Sequence, residues 1–334
     1  MERNNHMNSV IINDDGSFSD KPMGELYPTG SDILVKVKAI SINPVDIKKN
    51  PHTANSRVLG FDAAGVVIEA GSKVNKFHKD DLVFYSGTTQ RAGSYADEQL
   101  VDENLVSLAP NNNFNDLAAM PLTWLTAAEI LFEKLNYSQN PADNNNETIL
   151  VINGAGGVGS ILTQLAHLIG LKVVATSSPK NYQWLKKNHV DYQIDYHKDL
   201  VQQINDLGLT IDNSINLFDT GRYFDETVEL VRPFGHLVNI TGTNTPVDVR
   251  KLQQKSLSFD WELMFTKSKY NYRTQSQGEL LNLLGELISE NKIHSTRTKT
   301  IKAPLNAETI KKAHEIVGGH HMVGKLVIEN QTNI

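Results

Sequence analysis

Residues 148–159 read Thr-Ile-Leu-Val-Ile-Asn-Gly-Ala-Gly-Gly-Val-Gly, an apolar run followed directly by a glycine-rich turn. The run predicts a buried strand, and the stretch from Val158 to Ile169 predicts a helix because its apolar residues recur at helical spacing. The turn between them, residues 154–159, fits the pattern G-x-G-x-x-G. A strand, this turn and a helix in that order predict a dinucleotide-binding unit.

The three patterned glycines have distinct expected roles. Gly154 permits a tight turn, Gly156 lets the backbone approach a pyrophosphate, and Gly159 lets the helix pack close to the strand. The phosphates then meet the N–H groups and the positive end of the helix. The alternative interpretation is a glycine turn that serves packing alone.

The middle of the chain alternates strand and helix patterns. Further strands are predicted at Leu171 to Thr176, Ser214 to Phe218 and His236 to Ile240, with a helix around Asp225 to Val231. Such alternation is typical of a parallel sheet with crossover helices. We therefore expect an α/β fold with a doubly wound sheet in this region.

The two ends of the chain have other patterns. The N-terminal part reads as short strands broken by turns, as in Asp32 to Ala39 and Gly65 to Ala70, and predicts a β-rich unit. From about Phe265 the pattern changes to a helix, a strand, a helix begun by the N-cap candidate Asn306, and a last strand at Lys325 to Glu329. The 334 residues are about twice the ~150 of one domain, which favours two domains.

The composition excludes several classes of protein. The formal net charge is -6 and the basic residues are dispersed, so no nucleic-acid partner is expected. No apolar run reaches the ~18 residues of a membrane-spanning helix, so no membrane partner is expected. Residues 1–6, before Met7, lack the apolar core of a signal peptide; we expect a cytoplasmic location and assign them no function.

The chain contains no cysteine. This removes thiolate nucleophiles, iron–sulfur clusters and cysteine-ligated zinc. The histidines show no His-x-x-x-His spacing on one helix face, and the pair His320-His321 is interpreted as part of a loop. Any chemistry therefore depends on a cofactor, histidine, carboxylates or hydroxyls.

The end of the second predicted strand indicates which dinucleotide binds. A site for the unphosphorylated form usually has an Asp or Glu there, which bonds the ribose hydroxyls. This chain has Ser177-Ser178-Pro179-Lys180 instead. Hydroxyls and a positive charge suit a 2′-phosphate, which a carboxylate would repel, so NADPH is favoured. The alternative is that Lys180 is an ordinary solvated residue.

Six further segments carry a resemblance. In chain order they are Ser41-Ile-Asn-Pro-Val-Asp46, Leu59-Gly-Phe-Asp-Ala-Ala-Gly-Val-Val67, Gly93-Ser-Tyr-Ala-Asp-Glu98, Leu122-Thr-Trp-Leu-Thr-Ala-Ala128, Trp261-Glu-Leu-Met-Phe-Thr266 and Gly324-Lys-Leu-Val327. With the glycine turn, they resemble the zinc-independent quinone oxidoreductase branch of the medium-chain dehydrogenase/reductase superfamily. The resemblance implies a GroES-like catalytic domain at residues 1–121, a Rossmann NADP-binding domain at 122–265 and a C-terminal segment at 266–334 that returns to the first domain.

The resemblance also implies a cleft that holds NADPH. The implied catalytic residues are Asn43, at the nicotinamide site, and Asp46, which helps to hold its loop. The implied cofactor-binding residues are Asn43, Thr126, Gly154, Ala155, Gly156, Gly157, Val158, Gly159, Ser177, Ser178, Lys180, Tyr196, Thr241, Gly242 and Lys325. Alternatives remain for three of them: Asn43 as a turn residue, Asp46 as a helix N-cap, and Tyr196 as strand packing.

Zinc is not expected. Zinc-dependent relatives bind the catalytic metal through a Cys near Asn43 and a His in a Gly-His-Glu motif, where this chain has Gly60-Phe61-Asp62. A dehydrogenase of simple alcohols needs such a Lewis acid to polarise the alkoxide. The expected substrate is therefore a small electrophile that accepts hydride without a metal, a quinone or an α,β-unsaturated carbonyl.

The leading hypothesis is NADPH-dependent hydride transfer to such an acceptor. No general acid is identified, and we expect solvent to protonate the product. The first alternative is a protein that binds NADPH with little turnover, as crystallin-like relatives do. The second, a nucleic-acid-binding role, is disfavoured by the net charge of -6.

The resemblance implies a homodimer in which the Rossmann sheets of two subunits join edge to edge, here through the stretch Ser256 to Met264. This stretch is predicted to be a strand at the edge of the Rossmann sheet, with Leu257, Phe259, Trp261 and Leu263 on one face. An unpaired edge of this kind is satisfied by pairing with its two-fold mate. The alternative is that residues 267–273 cover the edge within one chain.

Overall fold

The computed structural model describes residues 7–47, 57–319 and 321–332. These residues divide into two compact units. The first unit comprises the described residues up to Leu125 and from Phe265 onward, and the second is Thr126–Met264. Residues 1–6 and His320 lie outside the described residues.

The secondary structure alternates between the two units along the chain. The strands are β1 (Asn8–Ile12), β2 (Phe18–Pro22), β3 (Asp32–Ser41), β4 (Arg57–Val58), β5 (Asp62–Ala70), β6 (Leu82–Ser86), β7 (Glu98–Asp102), β8 (Val106–Leu108), β9 (Thr148–Ile152), β10 (Lys172–Ser177), β11 (Tyr192–Asp195), β12 (Asn213–Asn216), β13 (His236–Asn239), β14 (Ser258–Trp261), β15 (Arg297–Ala303) and β16 (Lys325–Asn330). The α-helices are α1 (Pro44–Ile47), α2 (Phe114–Ala118), α3 (Pro121–Ala128), α4 (Gly157–Leu168), α5 (Tyr182–Lys187), α6 (Leu200–Asp206), α7 (Thr220–Leu230), α8 (Phe265–Tyr270), α9 (Gln275–Ser289) and α10 (Ala307–Gly318). In the described part of the chain, no helix is long and apolar enough to cross a membrane.

The first unit is β-rich, as predicted for the N-terminal part. Its larger sheet has the order β15-β16-β3-β5-β6-β8, with β7 also paired to β3, and β2-β1-β4 form a smaller sheet. The long strand β3 is rich in β-branched residues and almost wholly buried, which suits a central strand. The C-terminal strand β16 pairs antiparallel with β3, so the end of the chain completes this sheet.

The second unit is a parallel sheet with the order β11-β10-β9-β12-β13-β14. Counted from β9, this is the strand order 3-2-1-4-5-6 of the doubly wound dinucleotide-binding fold. Its core includes Leu150, Val174, Ile194 and Leu237. The predicted α/β fold, with a β-rich unit and a doubly wound unit, is confirmed. In such sheets the strands' carboxyl ends share one edge, where ligands bind.

Most predicted elements lie within a few residues of the observed ones. The predicted strand at residues 148–152 is β9 itself, and the predicted helix from Val158 is α4. Asn306 is the N-cap of α10, because its side chain accepts a hydrogen bond of 2.9 Å from the Thr309 N–H. Local patterns were sufficient for these elements.

The strand predicted over Ser256 to Met264 is wrong in length. Ser256 has a positive φ of 50° and ends a 3-10 helix, so β14 begins only at Ser258 and ends at Trp261. Its predicted apolar face is also divided, because Leu257 and Phe259 pack on the core of the second unit. Trp261 and Leu263 are 48% and 54% exposed.

Candidate functional site

The glycine turn connects β9 to α4 at the carboxyl edge of the parallel sheet. A Cβ added to Gly154 would lie 2.6 Å from the Cβ of Ala175 on the neighbouring strand. A Cβ on Gly159 would lie 2.5 Å from the carbonyl oxygen of Asn153. Both distances are shorter than real Cβ contacts, so this backbone admits only glycine at the two positions. The packing role predicted for Gly159 fits this geometry, and Gly154, predicted to permit a tight turn, is also closely packed.

The start of α4 fits a phosphate group. The helix begins at Gly157 with Gly156 as its N-cap, and no side chain caps its first turn. The first N–H groups of a helix have no partner within the helix, and they carry its positive end. Of the remaining turn residues, Ala155 precedes the N-cap, and Gly157 and Val158 are the first two residues of the helix.

The next two strands end beside the turn. The N–H of Gly154 donates to the Thr176 carbonyl over 3.0 Å, and the N–H of Tyr196 approaches the Ser177 carbonyl at 3.4 Å. Ser177 is buried, whereas Tyr196 is 41% exposed. Ser178 and Lys180 belong to the turn that follows β10, where Lys180 is exposed. The structure thus brings Ser177, Tyr196 and the glycine turn to one edge.

The remaining predicted residues of the second unit are placed as follows. Thr241 and Gly242 follow β13, and the Thr220 hydroxyl donates to the Thr241 carbonyl. A Cβ on Gly242 would meet nothing within 4 Å. Thr126 is buried in α3. Because β13 is parallel to β9, Thr241 and Gly242 lie at the same carboxyl edge as the glycine turn.

The first unit brings together Asn43, Lys325 and a residue that the sequence analysis missed, Asp62. The Asn43 amide nitrogen donates to Asp62 Oδ2 over 2.9 Å, and its oxygen accepts from the Lys325 ammonium. The ammonium also donates to the Ile42 carbonyl over 3.1 Å and lies 3.4 Å from Asp62 Oδ2. Asp62 Oδ1 accepts the Leu122 N–H at 2.7 Å. The bonds to Lys325 and Asp62 hold the Asn43 amide in one orientation.

Asp46 lies inside the short helix α1 rather than at its N-cap. Its Oδ2 accepts the backbone N–H of Asn43 over 2.7 Å, so it fixes the segment that carries Asn43. Its Oδ1 is buried without a hydrogen-bond partner among the described residues. Burial raises the pKa of Asp46 to about 7, although the Asn43 N–H and Lys325 act to lower it.

Burial also shifts the pKa values of the neighbouring charged residues, Asp62 and Lys325. Burial raises the pKa of Asp62, and the Lys325 ammonium partly offsets that effect. Burial lowers the pKa of Lys325, and Asp62 and Asp46 act to raise it. A buried pair of this kind persists only when each charge has its partner and further hydrogen bonds, as both have here.

A tyrosine and a histidine extend this cluster. The Tyr95 hydroxyl and His314 Nε2 are 2.8 Å apart, and both side chains are buried. Burial, followed by the charge of Asp46, raises the pKa of Tyr95 well above its usual value. Burial lowers the pKa of His314 to about 4, so the imidazole is neutral at physiological pH. Neither residue has a sequence pattern that predicts it.

Comparisons with known proteins identify the family. Residues 29–111 match the family of the alcohol dehydrogenase GroES-like domain, and residues 188–328 match that of zinc-binding dehydrogenases. A zinc-type alcohol dehydrogenase-like protein of Staphylococcus epidermidis is 40% identical over 308 residues, which cover 90% of this chain and 91% of that protein. The chain belongs to the medium-chain dehydrogenase/reductase superfamily. It is an oxidoreductase of this superfamily.

Other members of the superfamily are similar in sequence or fold. The NADPH-dependent alkenal/one oxidoreductase of Arabidopsis thaliana is 30% identical, over 89% of this chain and 71% of that protein. A Rhizobium etli protein described as a zinc-dependent alcohol dehydrogenase has a TM-score of 0.90 at 34% identity, with 98% of this chain and 99% of that chain covered. The NADPH complex of Escherichia coli quinone oxidoreductase has a TM-score of 0.80 at 24% identity, with 96% and 99% covered, and shows the shared fold.

The names of several superfamily relatives refer to zinc, but the residues around Asn43 do not fit that ion. The Asn43 amide oxygen already accepts from a buried ammonium. Phe61 offers no donor atom, and its ring packs 4.5 Å from that of Phe265. Within the described part of the chain, no three His, Asp or Glu side chains are grouped as a metal site. Lys325 already supplies a cation beside the oxygens of Asn43 and Asp62.

One signal could have identified Asp62 from the sequence. It stands at the Glu position of the Gly-His-Glu motif that zinc-dependent members of the superfamily carry. Because Phe61 replaces the His of that motif, the pattern alone assigns no role to the acid beside it. Its partner Lys325 is 263 residues away in sequence, which no local pattern connects.

Proposed function

We propose that this chain is an NADPH-dependent reductase that transfers hydride to a quinone or an α,β-unsaturated carbonyl without a metal ion. The observation that carries the proposal is the carboxyl edge of the second unit. There an uncapped helix start follows a turn in which Gly154 and Gly159 leave no room for a side chain. Ser177 and Tyr196 lie at the same edge, Ser178 and Lys180 follow β10, and in the proposal these four residues surround the 2′-phosphate. The Arabidopsis relative, whose name specifies NADPH and an alkenal or enone, supports the same assignment.

The roles of the residues follow from their chemistry. NADPH, when bound, supplies the hydride. The helix start and residues 154–159 would hold the pyrophosphate, while Thr241, Gly242 and Thr126 would line the nicotinamide end. The proposed role of Asn43 is contact with the nicotinamide, and Asp46 and Lys325 would be positioning residues because both bond to Asn43 directly.

The acceptor class follows from the residues around Asn43 and Phe61, whose chemistry does not fit a zinc ion. Hydride adds to the electron-poor β-carbon of an enone, and the resulting enolate takes a proton at the α-carbon from solvent. A quinone accepts hydride in the same way and gives the hydroquinone after protonation. Simple alcohols and aldehydes lack this activation and would need a metal to polarise their oxygen.

Cofactor affinity tests the assignment. We expect the unmodified protein to bind NADPH more tightly than NADH when the fluorescence of each reduced cofactor is titrated. Lys180→Gln removes one charge-assisted contact and should weaken NADPH by about 10-fold or more, with little change for NADH. Equal dissociation constants for the two cofactors in the unmodified protein would overturn the NADPH assignment.

Turnover tests the substrate class. NADPH oxidation should proceed with a simple quinone and with an alkenal or enone, and a saturated alcohol with NADP⁺ should give no reaction. Activity should be unchanged by chelators, and elemental analysis should find no stoichiometric zinc. NADPH binding without oxidation by any quinone, enone or aldehyde would favour the alternative of a binding protein with little turnover.

A further inference from the structure

One histidine at the carboxyl edge of the sheet has no role in the proposed site. His197 follows Tyr196, and the two rings pack with centroids 4.1 Å apart. Its Nδ1 lies 2.7 Å from Asp195 Oδ1, and its side chain is 57% exposed while that of Asp195 is 12% exposed. Asp195 lies opposite Ser177 in the register of β10 and β11. His197 is thus fixed beside residues proposed to surround the 2′-phosphate.

The contact with Asp195 fixes which nitrogen of the imidazole carries hydrogen. The backbone N–H of His197 is the main cause that lowers the pKa of Asp195, so this carboxyl is ionised at neutral pH. A carboxylate only accepts hydrogen bonds, so His197 Nδ1 must donate. In neutral imidazole the other nitrogen, Nε2, then has no hydrogen and is an acceptor.

At pH 8 the 2′-phosphate is a dianion that only accepts hydrogen bonds, so neutral His197 cannot bond to it through Nε2. Protonation changes this, because imidazolium carries a hydrogen on both nitrogens and a positive charge. Asp195 keeps Nδ1 occupied in both states, which directs the new donor at Nε2 away from Asp195. Because Nδ1 is bonded to Asp195, Nε2 can donate a hydrogen bond only when the ring is protonated.

We propose that His197 is a second contact for the 2′-phosphate of NADPH, and that it distinguishes NADPH from NADH only when it is protonated. The inference rests on the proposed NADPH-dependent function and adds a residue that sets cofactor specificity. It implies that the preference for NADPH is larger at pH 6 than at pH 8. Tyr196 packs on the ring, and Lys180 supplies charge at both pH values.

Several charged or titratable groups surround this position. Asp195 and Lys198 flank His197 in the chain, and the charge of Lys198 acts on Asp195. Tyr182 of α5 faces Asp195, and burial and that carboxylate raise its pKa. Asp199 is engaged as the N-cap of α6. The 2′-phosphate itself gains charge near pH 6, as phosphate monoesters do. Comparing a variant at position 197 with the unmodified protein at the same pH removes the effects of these other groups, because both proteins share them.

The experiment measures dissociation constants for NADPH and NADH at pH 6.0 and pH 8.0. His197→Asn is the test variant, because its amide can still donate to Asp195 but cannot be protonated. We expect this variant to bind NADPH about 3- to 10-fold more weakly than the unmodified protein at pH 6.0, equally well at pH 8.0, and NADH unchanged at both. His197→Lys, a cation at both pH values, should keep the larger preference at pH 8.0. Lys180→Gln should weaken NADPH at both pH values.

The outcomes separate the inference from the proposed function. If the unmodified protein prefers NADPH and the NADPH-to-NADH ratio of His197→Asn equals that of the unmodified protein at pH 6.0 as well as at pH 8.0, the inference is wrong and the proposed function stands. A loss of NADPH affinity in that variant that is equal at pH 6.0 and 8.0 also overturns it. If the unmodified protein binds neither cofactor, the proposed function fails first. If His197→Asn also loses NADH binding, the result for His197→Lys decides. An NADPH-to-NADH ratio of His197→Lys at pH 8.0 equal to that of the unmodified protein would then reject the charged contact.

Discussion

Lys325 Nζ and Asp62 Oδ2 lie 3.4 Å apart, and their side chains are 3% and 0% exposed. The pair joins β16, at the end of the chain, to β5 in the N-terminal part, across 263 residues of sequence. Both partners also bond to the side chain of Asn43. The Asn43 side chain therefore has both partners only when the C-terminal strand β16 has joined the sheet of the first unit.

Breaking this buried pair should destabilise the protein strongly. Lys325→Met leaves the Asp62 carboxylate buried without its counter-charge, a change that typically costs about 3–5 kcal/mol. Urea unfolding should show this loss, and Asp62→Asn should behave similarly. The double variant Asp62→Asn with Lys325→Met should be more stable than Lys325→Met alone, because it leaves no unpaired charge. A cost below about 1 kcal/mol for each single variant would show that water reaches the pair.

Asp46 should make stability fall as the pH rises. Its pKa of about 7 in the folded protein lies above the ordinary value of 3.8, because burial disfavours the charged form. The folded state therefore binds more protons than the unfolded state between these values, and stability is lost as the pH rises through about 7. In Asp46→Asn this loss should be absent. Compared by urea unfolding from pH 5 to pH 8, the unmodified protein should lose a few kcal/mol relative to the variant. Parallel stability curves would contradict the assignment.

His314 should make stability fall as the pH decreases, and it should do so at lower pH than Asp46. Burial lowers its pKa from 6.5 to about 4, so its contribution is complete above pH 6.5 and is lost as the pH falls through about 4. His314→Gln keeps an acceptor for the Tyr95 hydroxyl but does not titrate. Between pH 6.5 and 4 the unmodified protein should lose about 1–3 kcal/mol relative to this variant. An identical acid transition in both proteins would mean that His314 is solvated in solution.

Gly159→Ala should weaken dinucleotide binding. Its Cβ would lie 2.5 Å from the Asn153 carbonyl oxygen and 2.6 Å from Gly154 Cα, and backbone atoms cannot move aside as a flexible side chain can. The helix must then shift, at a cost of about 1–3 kcal/mol and of the phosphate geometry. Cofactor fluorescence should show at least a 10-fold weaker NADPH complex. Gly24→Ala is the control, because its Cβ meets nothing within 4 Å and should leave binding unchanged.

The sequence predicts those parts of the fold that depend on neighbouring residues. The strand at 148–152 is buried at all five positions, so its apolar run alone identifies it. The edge strand was predicted too long because its alternation continues to Met264. Its end depends on tertiary contacts that alternation does not contain, such as the burial of Glu262, which lies 3.8 Å from Lys134.

The candidate site also has one part that a local sequence pattern predicts and one part that depends on distant residues. The glycine turn and its neighbours Ser177 and Ser178 lie within one strand–helix–strand unit, and a motif describes them. Asp62, by contrast, acquires its role from Lys325, far along the chain, and from the N–H of Leu122. His197 is two residues from Asp195, but only the folded strand end shows that the carboxylate fixes its tautomer.

The last prediction concerns assembly through β14. This strand has β13 on one side and no strand on its other side among residues 7–47, 57–319 and 321–332. Its end carries two exposed apolar residues, Trp261 and Leu263, at 48% and 54%. Pairing with a two-fold mate would satisfy the free backbone groups and cover both side chains. We therefore expect a homodimer, with a light-scattering mass about twice the 37.1 kDa of one chain.

A charge at this edge should separate the subunits. Trp261→Glu places two like charges at the two-fold contact and removes the largest apolar side chain, so the mass at micromolar concentration should fall to that of one chain. Leu207→Gln is the control: it removes a 41% exposed apolar residue from the same unit but outside the edge strand, and it should leave the mass unchanged. Far-UV circular dichroism should be equal for all three proteins. A single-chain mass for the unmodified protein that does not change on concentration would reject the dimer and favour an edge covered within one chain.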